Sequence, residues 1–186
     1  MFDRLRTFRQ RRYVANLVRH GLSLGNDVYL NDGFFLDPSH CHLITIEDRV
    51  VFGPGVKLFA HDASTQKVIG KTRIGLVHLK KNCFLGAGTT VLPGVTVGEN
   101  SIVGAGSVVT DQVPDNELWA GVPAKKLMSV SDFKERLLAL PQVDFSLQQY
   151  GMDVLSEAQK EEMRETLRKH GSAFMIGRQH ESKKSS

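Results

Sequence analysis

Cysteine is scarce: Cys41 and Cys83 are the two in 186 residues, 42 positions apart and without a CxxC pair. That excludes a disulfide framework and a zinc module of closely spaced thiols. Long apolar runs are also missing. None approaches the ~20 residues that span a bilayer, and the start "MFDRLRTFRQRR" lacks the apolar stretch of a secretory signal. The expected location is cytoplasmic, with the inner face of the membrane as its second form. Aromatics make up 8% and include one Trp. None is interleaved with basic residues as a stacking platform would require, so nucleic acid is not an expected partner. Neither charge sign dominates, the net being +4.

The positive charge is concentrated, however. Residues 1–20 hold Arg4, Arg6, Arg9, Arg11, Arg12 and Arg19 against one acid, Asp3. The plain reading is the solvated face of a helix over residues 1–21. The functional readings are an anionic membrane surface touched by residues 1–20, a phosphate-bearing partner, or nucleic acid.

What the chain has in plenty is glycine among β-branched residues. In "LGAGTTVLPGVTVGENSIVGAGSVV", residues 85–109, 6 of 25 positions are Gly. Steps of six give Leu79, Leu85, Val91, Val97, Val103 and Val109, all aliphatic. Four positions into each unit come Cys83, Thr89, Val95, Ser101, Ser107 and Val113, all small or β-branched. A helix repeats every 3.6 residues and a half-buried strand every two, so neither explains a period of six. A chain that turns a corner every six residues does. Each flat face inserts its aliphatic residue into a shared interior, and glycine serves at corners and close approaches. Three faces make a coil, and successive coils pair as parallel strands ~4.8 Å apart.

The same phase continues upstream through Ile46, Phe52 and Leu58, and further back to Val28, Phe34 and an imperfect member, His40. The 21 residues from Leu58 to Leu79 are not a multiple of six. An excursion is therefore expected at about residues 62–73, "DASTQKVIGKTR", and a loop interrupting a rigid repeat is a usual home for a site. The domain plan is a basic helix over 1–21, a β-helix over 22–128, a helical extension over 129–177 and a disordered tail over 178–186. Ser156 and Gln159 stand at capping-box spacing, with Gly171 as a stop.

The stretch "CFLGAGTTVLPGVTVGENSIVGAGSVVTDQVPDNELWAGVPAKKL" resembles the hexapeptide-repeat acyltransferases, the group of galactoside, maltose and xenobiotic O-acetyltransferases and of sugar acetyltransferases of polysaccharide synthesis. The likeness covers about residues 22–128 and is most specific over 79–128. It implies a mainly β fold, a left-handed parallel β-helix with N- and C-terminal helices. It also implies a homotrimer with acetyl-CoA as co-substrate between subunits, and acetyl transfer to a hydroxyl, less often an amine, of a sugar or of a polysaccharide or lipopolysaccharide intermediate. The family's catalytic histidine matches His61 in "LFAHDAS", a general base suited by its ordinary pKa. The resemblance further implies that Ala87 and Ala105 line the pantetheine arm and that Thr110, Lys125 and Lys126 lie at the nucleotide end. Asn31, Asp37 and Asp62 fall to the acceptor. Asp111 stands where the family often has Lys, which removes one phosphate contact.

No metal is expected. His40 and His42 flank Cys41, but on a strand they share a face without a third ligand at matching spacing. His78 precedes an in-phase Leu79 as a wall residue or a partner of the site. Cys83 sits in a small-residue slot, so packing outweighs a role as nucleophile. Trp119 either stacks near an adenine or covers the last coil. The competing readings are a zinc lyase of the γ-carbonic-anhydrase type, drawing on His61 and His78, and a non-catalytic β-helix scaffold.

Overall fold

The structure, a computed structural model, describes residues 8–146 and 155–176. Residues 1–7, with Arg4 and Arg6, and the expected disordered tail lie outside the described residues. The chain divides into two units between Phe133 and Lys134.

In the first unit, short strands wind through three parallel walls. Wall A stacks Ser23–Leu24, Ile44–Ile46, Val77–Leu79 and Thr96–Val97. Wall B stacks Tyr29–Leu30, Val51–Phe52, Phe84–Leu85, Ile102–Val103 and Glu117–Gly121. Wall C stacks Phe35–Leu36, Lys57–Leu58, Thr90–Val91 and Val108–Val109. The strand Ala124–Ser129 turns back antiparallel on Glu117–Gly121 and ends wall B.

The predicted aliphatic column is the core. Leu79, Leu85, Val91, Val97, Val103 and Val109 are all fully buried, and so are Cys83, Thr89, Ser101 and Ser107. Thr89 and Ser107 donate their hydroxyls to Gly104 O at 3.2 and 2.6 Å, so these buried polar groups are satisfied. Gly86 follows Leu85 because the next coil lies against it: a Cβ there would stand 2.4 Å from Ala105 N. The corner from wall B to wall C is a different use of glycine, with φ of +71° at Gly88 and +68° at Gly106.

At the corner from wall A to wall B the left-handed residues are Asp27, Arg49, Asn82, Asn100 and Asn116. Asparagine tolerates this conformation because its short amide bonds locally. Here the amides also bond one another. Arg49 Nε donates to Asn82 Oδ1 at 2.6 Å, Asn82 Nδ2 to Asn100 Oδ1 at 3.0 Å and Asn100 Nδ2 to Asn116 Oδ1 at 3.2 Å.

The third corner, from wall C to wall A, is irregular at every level but one. Steps from A to B and from B to C always take six residues. From C to A the chain takes ten (Leu36 to Ile46), twenty-one (Leu58 to Leu79), six (Val91 to Val97) and four (Val109 to Val113, which bridges to Val97). The ten-residue step corrects the upstream phase. Leu24, Leu30 and Leu36 pair with Ile46, Phe52 and Leu58, so Val28 and Phe34 occupy the small-residue slots and His40 lies in the lengthened corner. The four-residue step leads into the last strand of wall B, with Leu118 and Trp119 pairing with Ile102 and Val103.

Helix α1, Phe8–Arg19, lies on the first coil with Val14 and Leu17 in the core. Among the described residues no helix is long and apolar enough to cross a membrane.

The second unit is not all helix, as the sequence suggested. Helix α2, Val130–Leu138, crosses the division, and helix α3, Glu157–His170, begins at the Ser156–Gln159 capping box. The strands Asp144–Ser146 and Phe174–Ile176 pair in parallel. Phe145 is buried there, and "FMI" is rich in strand-forming side chains.

Candidate functional site

The lengthened corners gather the site. The ten-residue first C-to-A corner begins with "DPSH", Asp37 to His40, and the second corner carries His61 and the excursion. The excursion is closed by His61–Asp62 paired antiparallel with Arg73–Ile74. Inside it are a turn of 3-10 helix, Ala63–Thr65, and one turn of α-helix, Gln66–Ile69. Arg73 Nη2 ties it to the corner above through Pro93 O at 3.2 Å.

Asp37 is fully buried, and its carboxylate is saturated. Oδ1 accepts from Ser39 N at 3.3 Å and Ser39 Oγ at 2.8 Å. Oδ2 accepts from Ala60 N at 3.1 Å and from Nδ1 of His61. Burial pushes the Asp37 carboxyl up, but the hydrogen bonds from Ser39, His61 and Ala60 outweigh it and hold the group below the ordinary carboxylate value. An ionised carboxylate only accepts, so His61 carries its proton on Nδ1 and leaves Nε2 as a lone-pair base. The His61 side chain is 30% exposed against 0% for Asp37: one end is anchored and the other reaches solvent. Asp37, which the resemblance places with Asn31 among residues that contact the sugar or orient the site, thus orients the histidine.

The structure adds two residues to this cluster. Ser39 donates to Asp37 and lies 3.2 Å from Nδ1 of His40. The His40 ring sits 4.7 Å from that of His61, centroid to centroid. Cys41–Leu43 is a 3-10 turn and not the strand expected, yet the His40 and His42 rings still lie 6.1 Å apart. His40 lies closer to His61. Donor atoms of Asp37, His40 and His61 lie within 4.8 Å of one another, the one grouping among the described residues able to hold a metal. Both Asp37 oxygens are already engaged by protein donors, which weakens it as a ligand. His78 is elsewhere, on wall A, with Nε2 2.7 Å from Glu47 Oε1. It does not join His61.

The other predicted positions separate. Asp62 caps the excursion's 3-10 turn by accepting from Ser64 N at 2.9 Å, and hydrogen bonds from Ser64 lower its pKa. Asn31 accepts from Asp32 N at 2.9 Å and lies with Ala87 and Ala105 at the corner between walls B and C. Thr110 follows Val109 at the end of wall C, and Lys125 lies on the returning strand that ends wall B. Lys125 Nζ pairs with Asp111 Oδ2 at 3.0 Å, which hydrogen bonds and charge hold below the ordinary carboxylate value. Lys126 follows on the opposite face of its strand, 2.5 Å from Glu117 Oε1. Glu117 also accepts from Trp119 Nε1 at 2.7 Å, and Trp119 is partly buried against the core. Burial pushes the Cys83 thiol up to about 12, unsuited to a nucleophile.

A period of six with three parallel walls defines a hexapeptide-repeat protein. Residues 77–111 match the bacterial transferase hexapeptide (six repeats) family. Among curated proteins, the chain is 36% identical over 136 residues to a galactoside O-acetyltransferase of Lactococcus lactis, covering 68% of this chain and 63% of that one. It is 31% identical over 114 residues to the galactoside O-acetyltransferase of Escherichia coli, covering 60% and 55%. The chain thus spans less than two thirds of these relatives. A solved galactoside acetyltransferase in complex with coenzyme A shares the fold, with a TM-score of 0.51 at 20% identity over 72% of this chain and 78% of that one.

Proposed function

We propose that the protein is an acetyl-CoA-dependent acetyltransferase acting on a hydroxyl of a sugar or of a polysaccharide or lipopolysaccharide intermediate. The observation that carries this reading is the buried, saturated Asp37 carboxylate holding Nδ1 of a half-exposed His61 at the corner where the coil opens.

Acetyl-CoA would supply the activated acetyl group as a thioester. Nε2 of His61 takes the proton of the acceptor hydroxyl as that oxygen attacks. Asp37 stabilises the imidazolium that forms, and His61 returns the proton to the departing thiolate. A positioned base of this kind contributes ~10²–10⁴-fold. Exposed Ala87 and Ala105, flanked by glycines, leave a thin track that suits the pantetheine arm. Lys125 and Lys126 are the candidates for its phosphates, in exchange for Asp111 and Glu117. Asn31 and Asp62 remain acceptor-side candidates.

We also infer a left-handed wind and a homotrimer. Ala87 and Ala105 sit on one edge of wall C and His61 on the other, about 15 Å apart for a strand and its turns. Neighbouring copies would bring the two edges together. Val68, Ile69, Ile74 and Leu76 on and beside the excursion are exposed, an apolar patch that a second copy would cover. The basic α1 is compatible with contact at the inner face of the membrane.

The test is thiol release from acetyl-CoA against a panel of sugars, amino sugars and nucleotide-sugars, with wild type and His61→Ala. Acceptor-dependent release that falls by two or more orders of magnitude in His61→Ala, with acetyl-CoA still bound, supports the reading. An intact rate in the variant refutes His61 as base. The rival reading is a metal-dependent lyase built on Asp37, His40 and His61. Stoichiometric zinc retained through dialysis, with no acetyl-CoA binding, would favour it.

A further inference from the structure

A cavity of about 720 Å³ opens between α1 and the first coil. Arg9, Arg12, Tyr13, Asn16, Arg19 and Phe34 line it, and among the described residues no carboxylate does. The spacing places Arg9, Arg12, Asn16 and Arg19 along one face of α1 over about 15 Å. Arg9 and Arg12 are exposed and make no ion pair with a described residue, while Arg19 is steadied by Nη2 on Asn16 Oδ1 at 3.2 Å. The acid on the adjoining turn, Asp32, accepts from Gln10 Nε2 at 2.7 Å. Three guanidinium groups on one helix face, with no carboxylate among the described lining residues, repel one another, and an anion between their ends lowers that repulsion. Their planar forks match phosphate oxygens two at a time. The floor is aromatic: the Tyr13 and Phe34 rings lie 6.1 Å apart. Tyr13 Oη donates to Leu36 O at 3.2 Å, one residue before Asp37, so this floor and the histidine site share a backbone.

We propose that this cavity binds a phosphate or diphosphate group, and that the group is the anionic end of the acceptor, whose hydroxyl is presented to His61. The second clause rests on the acetyltransferase reading; the first does not. The same chemistry has two sources, a soluble glycosyl phosphate or a lipid headgroup.

The experiment is calorimetric titration of the full chain with sodium pyrophosphate, comparing wild type with Arg9→Ala/Arg12→Ala/Arg19→Ala. A control, Lys134→Ala/Arg136→Ala/Lys169→Ala, removes three exposed cations elsewhere. We expect saturable binding in the wild type, at least tenfold weaker in the cavity variant and unchanged in the control. Arg12→Lys keeps the charge while losing the fork, and is expected to weaken binding several-fold should the triple variant melt early. No wild-type binding, or equal loss in both triple variants, overturns the site. Co-sedimentation with vesicles of 30% phosphatidylglycerol in phosphatidylcholine separates the sources. Pelleting that pyrophosphate displaces marks a lipid headgroup, and calorimetric binding without pelleting marks a soluble phosphate. Pelleting untouched by pyrophosphate and by the cavity variant overturns the proposal. Acetyl-CoA binding is titrated on the same samples: pyrophosphate binding without it leaves the cavity standing and removes the acetyltransferase reading.

Discussion

Replacing Asp37 by Asn keeps the shape of the side chain and removes its charge. The amide retains one accepting oxygen, best used on Ala60 N and Nδ1 of His61, and turns its NH₂ toward Ser39. The two bonds kept become neutral, each weaker by about 1 kcal/mol, and the Ser39 N–H loses its partner, so the fold loses about 2–3 kcal/mol. The effect on proton transfer is larger. A carboxylate ~4 Å from the imidazolium centre stabilises it by about 4 kcal/mol at an effective dielectric near 20, equivalent to about 10³ in rate. We therefore expect kcat for acceptor-dependent thiol release to fall by about 10²–10³, with KM for acetyl-CoA little changed and the urea midpoint lowered. The stability gap is itself pH-dependent. Because the Asp37 pKa is lowered on folding, its contribution is fully present above the unfolded value of about 3.9 and disappears as pH falls through the folded value. The gap between wild type and Asp37→Asn should close in acid. A folded variant with wild-type kcat would refute the coupling of Asp37 to the proton transfer, and an unchanged urea midpoint would refute the burial argument.

Gly86→Ala should destabilise severely or prevent folding, since its Cβ would stand 2.4 Å from Ala105 N, whereas Gly70→Ala at φ +68° meets nothing within 4 Å and should cost about 1 kcal/mol in left-handed strain alone. Parallel melting curves decide this, and equal losses would mean that coil spacing is softer than described. Leu85→Ala empties a fully buried position and should cost about 2–5 kcal/mol by urea unfolding; a loss under 1 kcal/mol would show that the coil collapses into the gap. Ser156→Ala removes the acceptor for Gln159 N at 3.2 Å and should cost helix α3 about 1 kcal/mol, seen as faster amide exchange in its first turn, with exchange in the coil unchanged.

The coil was legible because one physical requirement, an apolar residue facing inward at each wall, recurs at a fixed interval. It was legible only while the interval held. The ten-residue step from Leu36 to Ile46 shifted the phase, so Val28, Phe34 and His40 were read one slot out of place, although Leu24, Leu30 and Leu36 were there to be counted. Glycine was expected both at corners and at close approaches, and the fold divides the two uses: Gly86 packs against the next coil, while Gly88 and Gly106 take the left-handed corners. His61 stood out as the residue where the period breaks. Asp37, 24 positions away, reaches it because wall C stacks Leu36 on Leu58, a relation that neither spacing nor residue type reports. The paired strands near Phe145 and Met175 were hidden for the same reason: each is three residues long and gains its partner only through the fold.

The asparagine column at the corner between walls A and B has a sense of direction. Each amide can donate or accept, so the column alone could run either way. Arg49 can only donate, and it stands at one end, so every oxygen must face it and every NH₂ must face the far end. One cation thereby sets the orientation of three amides on three successive coils, as the first tile sets a row. Substituting Arg49 by a residue that can also accept would free the row to reverse without moving a single backbone atom.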